Sequence, residues 1–267
     1  MTKRFTTNFF TQLLALVVAV LFVHTMYETL IRPKANVILE ERKEAIENEV
    51  EGYEVKRSVY VTLKDYEQEI CFILMFWAFA IMITKGLSAR AQHRLTKQEL
   101  VKIVEGTSVL PEDARVHMRS IQSLPPKARD SLLPRAAMTA LQRFESTQEI
   151  QHASEAVRTV CEGEADRLDS ELAMIRYISW AIPSIGFIGT VRGIGGALGL
   201  AHEVFQQGTI TGVTENLGIA FNSTLVALVI SIVIMFFVHQ LQRYQEEMVI
   251  DIESWCDDNL LRHLQVH

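Results

Sequence analysis

The stretch that decides the fold is PSIGFIGTVRGIGGALG, residues 183–199. It lies within an apolar span, residues 176–200, in which the polar residues are few: Ser184, Thr190 and Arg192. In a membrane helix, small residues let two backbones approach closely. We therefore predict that this helix presents a packing and assembly face made of Pro183, Gly186, Gly189, Gly193 and Gly196, with the Thr190 hydroxyl set in it.

Outside this span, three more segments have the composition of membrane helices: residues 9–27, 70–84 and 217–238. At about 1.5 Å per residue, about 20 residues cross a hydrocarbon core of about 30 Å, so the segment 70–84 is rather short. The sequence therefore predicts an all-α membrane protein with four transmembrane helices.

Composition and charge exclude several functions. Hydrophobic residues make up 49% of the chain and charged residues 22%, as expected for apolar spans joined by charged segments, and the net charge of −6 argues against a nucleic-acid partner. Cys71, Cys161 and Cys256 are far apart and have no metal-ligand spacing, so neither a metal site nor a disulfide framework is indicated. No nucleophile with a base and no phosphate loop is evident, so we predict neither an enzyme nor a cofactor.

Basic residues near the ends of the spans predict the orientation. Lys3 and Arg4 precede the first span, several basic residues follow the second, and residues 201–216 contain no Lys or Arg. Cytoplasmic loops carry an excess of Lys and Arg, so we expect both termini and residues 85–173 in the cytoplasm of a bacterial inner-membrane protein. Arg32 and Lys34, just beyond the first span, oppose this orientation.

The four predicted spans and the segments between them divide the chain into eight parts. We predict a first transmembrane helix at 1–31, an outer segment at 32–69, a second transmembrane helix at 70–84, a cytoplasmic helical segment at 85–173, a third transmembrane helix at 174–200, an outer link at 201–216, a fourth transmembrane helix at 217–240 and a cytoplasmic helical tail at 241–267.

Within these segments, Pro33 is expected to stop the first helix. A short amphipathic helix should follow it, with apolar positions from Ile38 to Val50. Gly106, Pro111, the pair Pro125 and Pro126, and Pro134 should break the cytoplasmic segment. From Ser146 only Gly163 interrupts the helical pattern, so the third helix should begin deep in the cytoplasm. A tail stripe at Leu241, Tyr244, Met248, Ile252, Trp255 and Leu261 is typical of subunit packing.

Two threonines in the third and fourth spans come out at the same depth. Thr190 and Thr224 each lie about 10 Å from the outer boundary of the bilayer at about 1.5 Å per residue. A layer of hydroxyls at one level is suited to carrying a proton or replacing part of an ion's hydration shell, and Ser223 and Asn222 extend the polar patch. The alternative is that each hydroxyl bonds a carbonyl of its own helix.

Charged groups at this depth are few. The apolar parts of the third and fourth spans contain no Asp or Glu, so a partner should supply the carboxylate that a proton path needs. Arg192 has two interpretations: it reaches the outer interface or pairs with Glu203 or Glu215 of a subunit, or it contacts the partner's carboxylate.

These residues resemble the last two membrane helices of the MotA/TolQ/ExbB proton-channel family over residues 175–231. The third-helix pattern of that family is matched by Pro183, Gly186, Gly189, Thr190 and Val191, and the fourth-helix pattern by Ala220, Phe221, Ser223, Thr224 and Leu225. The order of four helices is most similar to the flagellar stator branch. The sequence departs from the family's pattern at Asn222 and Ser223, where small apolar residues are frequent, at Ala227, where glycine is frequent, and at Arg192 inside the third helix.

The resemblance implies a homopentamer around two copies of a single-span partner similar to MotB, TolR or ExbD, whose membrane helix carries an Asp. The expected function is an ion-channel subunit of a membrane motor that converts the flow of protons, or alternatively sodium ions, into mechanical work. The competing hypothesis is a membrane scaffold whose glycine-rich helices pack without conducting ions.

Overall fold

The computed structural model describes residues 2–48, 58–97, 108–207 and 210–266. These residues are mainly helical. The α-helices are α1 (Thr2–Met26), α2 (Arg32–Glu47), α3 (Val59–Leu63), α4 (Tyr66–His93), α5 (Ala114–Gln122), α6 (Pro126–Arg129), α7 (Leu132–Thr147), α8 (Ile150–Gln207) and α9 (Thr211–Asn259). A π-helical turn, Tyr27–Ile31, separates α1 from α2, and 3-10 turns lie at Arg94–Lys97 and Leu261–His263.

Among the described residues, four stretches of helix are long and apolar enough to cross a membrane. They are Phe10–Arg42, Tyr66–Thr96, Ile150–Ala201 and Thr211–His263. Large apolar side chains stay exposed along them, such as Leu14 in α1 and Phe221 in α9. Exposed apolar residues in such numbers require lipid or other protein as their surroundings. The chain is a multi-pass, all-helical membrane protein, which confirms that part of the predicted fold.

Pro33 does not stop the first helix, so that prediction is wrong. The helical path continues through it, because α2 begins at Arg32, directly after the π-helical turn. A proline lacks the N–H of a helical hydrogen bond and its ring presses on the preceding turn, and a wider π turn makes room there. The expected amphipathic helix is therefore continuous with α1 through this turn, although Val50 lies outside the described residues.

The helix containing the glycine-rich stretch begins well before the apolar span, at Ile150. Helix α8 has 58 residues and α9 has 49. Helix α7 ends at Gln148, which has a left-handed backbone conformation with a φ of 57° and precedes α8. Gly163, in contrast, lies inside α8 and does not interrupt it. Pro134 likewise lies inside the first turn of α7, where its missing N–H costs nothing, and Gly106 is outside the described residues.

The first of two compact units consists of Met1–Met82 and Met174–Val238. In it, Val23, Tyr27 and Ile31 form a buried row against side chains of α4, including Phe72 and Phe76. The Trp77 indole N–H also donates to the Gln12 carbonyl oxygen at 2.9 Å. Helices α1 and α4 are therefore joined by apolar packing and by a satisfied polar group.

The second unit consists of Ile83–Ala173 and His239–His267. Its buried core takes side chains from α4, α5, α7, α8 and α9. The tail stripe predicted for subunit packing is part of this core: Met248 and Ile252 are fully buried, and Tyr244 and Trp255 pack against them. These four residues therefore pack within their own chain, because α5 and α7 present matching apolar faces.

Candidate functional site

The site is built where α8 and α9 come into direct contact through glycine. A Cβ placed on Gly186 would lie 2.5 Å from the Cβ of Ala227, and one on Gly193 would lie 2.7 Å from the backbone nitrogen of Ala220. Real side chains do not tolerate such distances, so only glycine permits this approach. The predicted assembly face is therefore occupied within the chain, between its own two helices.

The other residues of the predicted packing face behave similarly. Gly189 faces Ser223, with 2.5 Å between a Cβ built on the glycine and the serine Cβ, and Gly196 faces the side chain of Asn216. In contrast, a Cβ built on Gly195 or Gly199 would meet no atom within 4 Å. The close packing thus follows one face of the helix.

Pro183 lies inside α8 and removes one helical hydrogen bond. The carbonyl oxygen of Ser179, four residues earlier, has no N–H to accept from at position 183. The hydroxyl of Ser231 in α9 donates to that oxygen at 3.0 Å. Ser231 thereby satisfies the acceptor that the proline exposes, a role that sequence reasoning did not assign to it.

The structure brings Thr190 and Thr224 together. Their hydroxyls are directly hydrogen-bonded, and each also lies 3.3 Å from the carbonyl oxygen of Gly186. The Thr190 hydroxyl lies 3.2 Å from the carbonyl oxygen of Ala220 as well. Two hydroxyl protons are therefore shared among several acceptors, so the hydrogen-bond directions can rearrange without moving either helix.

The two other predicted polar residues of α9 differ from each other. Ser223 is buried, donates to the Ile219 carbonyl oxygen of its own helix at 2.8 Å, and accepts from Gln68 Nε2 at 3.4 Å. Asn222 is half-buried, and its side chain makes no hydrogen bond to the part of the chain that the structure describes. Ser223, which directly precedes Thr224, thus joins α9 to α4 by a hydrogen bond, whereas Asn222 does not.

Arg192 pairs with a carboxylate that sequence reasoning overlooked. Its Nε and Nη2 contact the two carboxylate oxygens of Glu67 at 2.6 and 2.8 Å, a bidentate geometry. Within the chain, Glu215 lies 3.5 Å from Lys64 and not beside Arg192. The side chain of Glu203 lies outside the described residues.

The chain also places a carboxylate of its own, that of Glu67, against the α8 face next to Thr190. Glu67 is 10% exposed, and its Cγ would lie 3.2 Å from a Cβ on Gly189, the neighbour of Thr190. A search confined to the apolar spans misses Glu67. The signal that could have found it is the acidic pair Glu67 and Glu69 at the start of the second span.

Four candidate membrane spans among the described residues and a half-buried hydroxyl pair between two of them define the class: a multi-pass helical membrane protein with polar groups between its helices. Residues 128–254 match the model of the MotA/TolQ/ExbB proton channel family. The predicted family is thereby confirmed over this domain. Members of the family are channels and not enzymes, which agrees with the prediction from the sequence that the chain is not an enzyme. No curated protein matches the chain.

Proposed function

We propose that this chain is the channel subunit of an ion-driven membrane motor, and that Thr190 and Thr224 line the ion pathway together with Ser223. The observation that carries the proposal is the hydrogen-bonded threonine pair between α8 and α9. Hydroxyls can both donate and accept, so a pair of them can pass a proton or contact an ion. The family of residues 128–254 supports a stator-like channel role.

The working assembly is a homopentamer around two copies of a single-span partner similar to MotB, TolR or ExbD, whose membrane Asp is loaded and released past the threonines. The assembly lies in the bacterial inner membrane, with both termini in the cytoplasm, and the transported ion is H⁺, with Na⁺ as the alternative. Exposed apolar side chains on α8 and α9, including Phe187 and Leu225, support contact with other subunits.

Valine substitution tests the role of the hydroxyls. Thr190→Val and Thr224→Val keep the branched shape and remove only the hydroxyl, so we expect pentamers to form while ion flux is lost. Serine at either position should retain part of the flux because it keeps the donor and acceptor. Ion flux is measured in vesicles from cells that produce the chain with its partner, and pentamer recovery is measured on the same samples.

Thr214→Val is the matched control. The Thr214 hydroxyl is exposed and lies 2.9 Å from the Thr211 carbonyl oxygen of its own helix, so its loss should leave flux unchanged. If the Thr190 and Thr224 valine variants conduct normally, the chain is a scaffold whose hydroxyls only satisfy local carbonyls, and the proposal fails.

A further inference from the structure

Two acceptor oxygens near the start of α4 lack a donor. Asp65 Oδ2 and Gln68 Oε1 are both buried, and neither has a hydrogen-bond partner in the described part of the chain. Gln68 is completely buried, and its side chain interacts with that of Asp65. Buried acceptors without donors are costly, and two of them one helical turn apart suggest a missing proton. A protonated Asp65 supplies that proton, because a neutral carboxyl donates one O–H.

The surrounding charges single out Asp65 among the carboxylates. Glu67 binds Arg192 through both of its oxygens, and Lys64 lies 3.5 Å from Glu215. Asp65 forms no ion pair with the described residues. Burial raises the pKa of Asp65 and Glu67 raises it further, and together they outweigh the lowering by Lys64, by Arg192 and by a hydrogen bond with the Gln68 side chain.

Asp65 is also connected, through Gln68, to Ser223 beside the threonine pair. Gln68 Nε2 lies 3.4 Å from Ser223 Oγ and 3.2 Å from the Thr62 carbonyl oxygen. Ser223 precedes Thr224 and touches the α8 face at Gly189. One fully buried amide therefore links the unpaired carboxyl to the residue next to the threonine pair.

We propose that Asp65 takes up and releases the transported proton at the entrance to the hydroxyl pair, and that Gln68 positions it there. The inference rests on the proposed channel function and deepens it. In the uptake step an O–H bond forms on Asp65 Oδ2 while one breaks in hydronium, leaving water; release reverses this exchange. Glu67 is occupied by Arg192 through both of its oxygens, whereas Asp65 has no ion-pair partner among the described residues, so Asp65 is the carboxyl assigned to proton exchange.

The charged and titratable groups around Asp65 come from every element near it. They are Lys64 beside it, Glu67 in α4, Arg192 in α8, Glu215 in α9 through Lys64, and Tyr27 in the π-helical turn. The Tyr27 hydroxyl is buried without a partner among the described residues. We therefore keep Asp65, which has no ion-pair partner among the described residues, as the site of proton uptake.

Infrared spectroscopy of the purified full chain tests the assignment. We expect a protonated-carboxyl C=O band that disappears as the pH rises, is absent from Asp65→Asn and changes frequency in Asp65→Glu. Asp113→Asn, at an exposed position, should leave the band unchanged. A band that persists in Asp65→Asn, or that disappears only in Glu67→Gln, would overturn the proposal. The Asp65→Glu spectrum keeps the test decisive if Asp65→Asn does not fold.

Ion flux in the same vesicles gives the second readout. Asp65→Asn should lower proton flux at least about tenfold, as loss of a proton-transfer group does, and Asp65→Glu should retain part of it with a shifted pH profile. Exchanging KCl for NaCl should change neither flux nor band; displacement of the band by Na⁺ would overturn the proton assignment. If the threonine valine variants lose flux while Asp65→Asn conducts with an unchanged pH profile, this inference fails alone. If the valine variants conduct, the proposed function fails.

Discussion

The hydroxyl of Ser231 donates to the carbonyl oxygen of Ser179 at 3.0 Å, across the interface of α8 and α9. This is the carbonyl that Pro183 leaves without a helical donor. The hydrocarbon core of a bilayer contains no water that could donate to this carbonyl oxygen, so the hydrogen bond must come from the protein. The Ser231 hydroxyl supplies it from the neighbouring helix. Ser231 of α9 thereby satisfies the backbone of α8 at the position where Pro183 interrupts its hydrogen bonding.

The first prediction concerns this bond. Ser231→Ala should destabilise the chain by about 0.6–2 kcal/mol, the range for hydrogen bonds between membrane helices. Adding Pro183→Ala should remove most of that loss, because alanine restores the backbone N–H that Ser179 then accepts. The measurement is unfolding of the purified protein in mixed detergent.

Ser184→Ala is the control for it. The Ser184 hydroxyl bonds the Trp180 carbonyl oxygen within the same helix, so its removal should have little effect. Equal stability of Ser231→Ala and wild type would contradict the role given to Ser231.

The second prediction compares two glycines of α8. Gly193→Ala should cost about 1–3 kcal/mol through overpacking, because a Cβ there would meet the backbone of α9. Gly195→Ala has open space and should gain up to about 1 kcal/mol from helix propensity. Both variants are unfolded as isolated chains in detergent. Similar losses at both positions would show that the α8 face against α9 has been misidentified.

The third prediction concerns the ion pair of Glu67 and Arg192. Reversing either charge alone should cost about 1–3 kcal/mol, between the values for exposed and buried pairs, because Arg192 is half exposed. The double variant Glu67→Arg with Arg192→Glu should recover part of the loss. The same cycle on Arg243 and Glu247, an exposed pair on one helix, should show almost no coupling. Additive effects at Glu67 and Arg192 would mean that their contact carries no free energy.

The fourth prediction is a pH dependence of stability. The raised pKa of Asp65 means that folding favours its neutral form. The stability it contributes is therefore present below the unfolded-state pKa and lost as the pH rises through the folded-state pKa. Asp65→Asn stays neutral and should flatten this loss in unfolding curves recorded from acidic to neutral pH, whereas Asp113→Asn should not. An unchanged pH dependence in Asp65→Asn would remove Asp65 as its source.

The fifth prediction concerns topology. Single cysteines at Glu47 in α2 and Asp113 before α5 should report opposite sides of the membrane, with Glu47 outside because basic residues favour the cytoplasm. Labelling of intact cells with an impermeant reagent should reach position 47 alone. Labelling at position 113 alone would invert the proposed orientation and with it the direction of ion flow.

Sequence reasoning reached the features that depend on local composition. Apolar runs of sufficient length predicted the four spans, and the scarcity of breakers after Ser146 predicted the long α8. Rise per residue along a helix was enough to put Thr190 and Thr224 at one depth, where the structure joins their hydroxyls. Such features need only the neighbouring residues along the chain, which the sequence contains.

The sequence by itself thus determined the helical membrane class, the family of residues 128–254 and the pair of threonines. Only the tertiary structure decided that the glycine face packs against α9 of the same chain, that Arg192 pairs with Glu67, and that Ser231 serves the carbonyl exposed by Pro183. Glu67 and Arg192 are 125 residues apart. Which partner a small or charged side chain meets depends on how separate helices cross, and that geometry is set by packing across the whole bundle rather than by any local pattern.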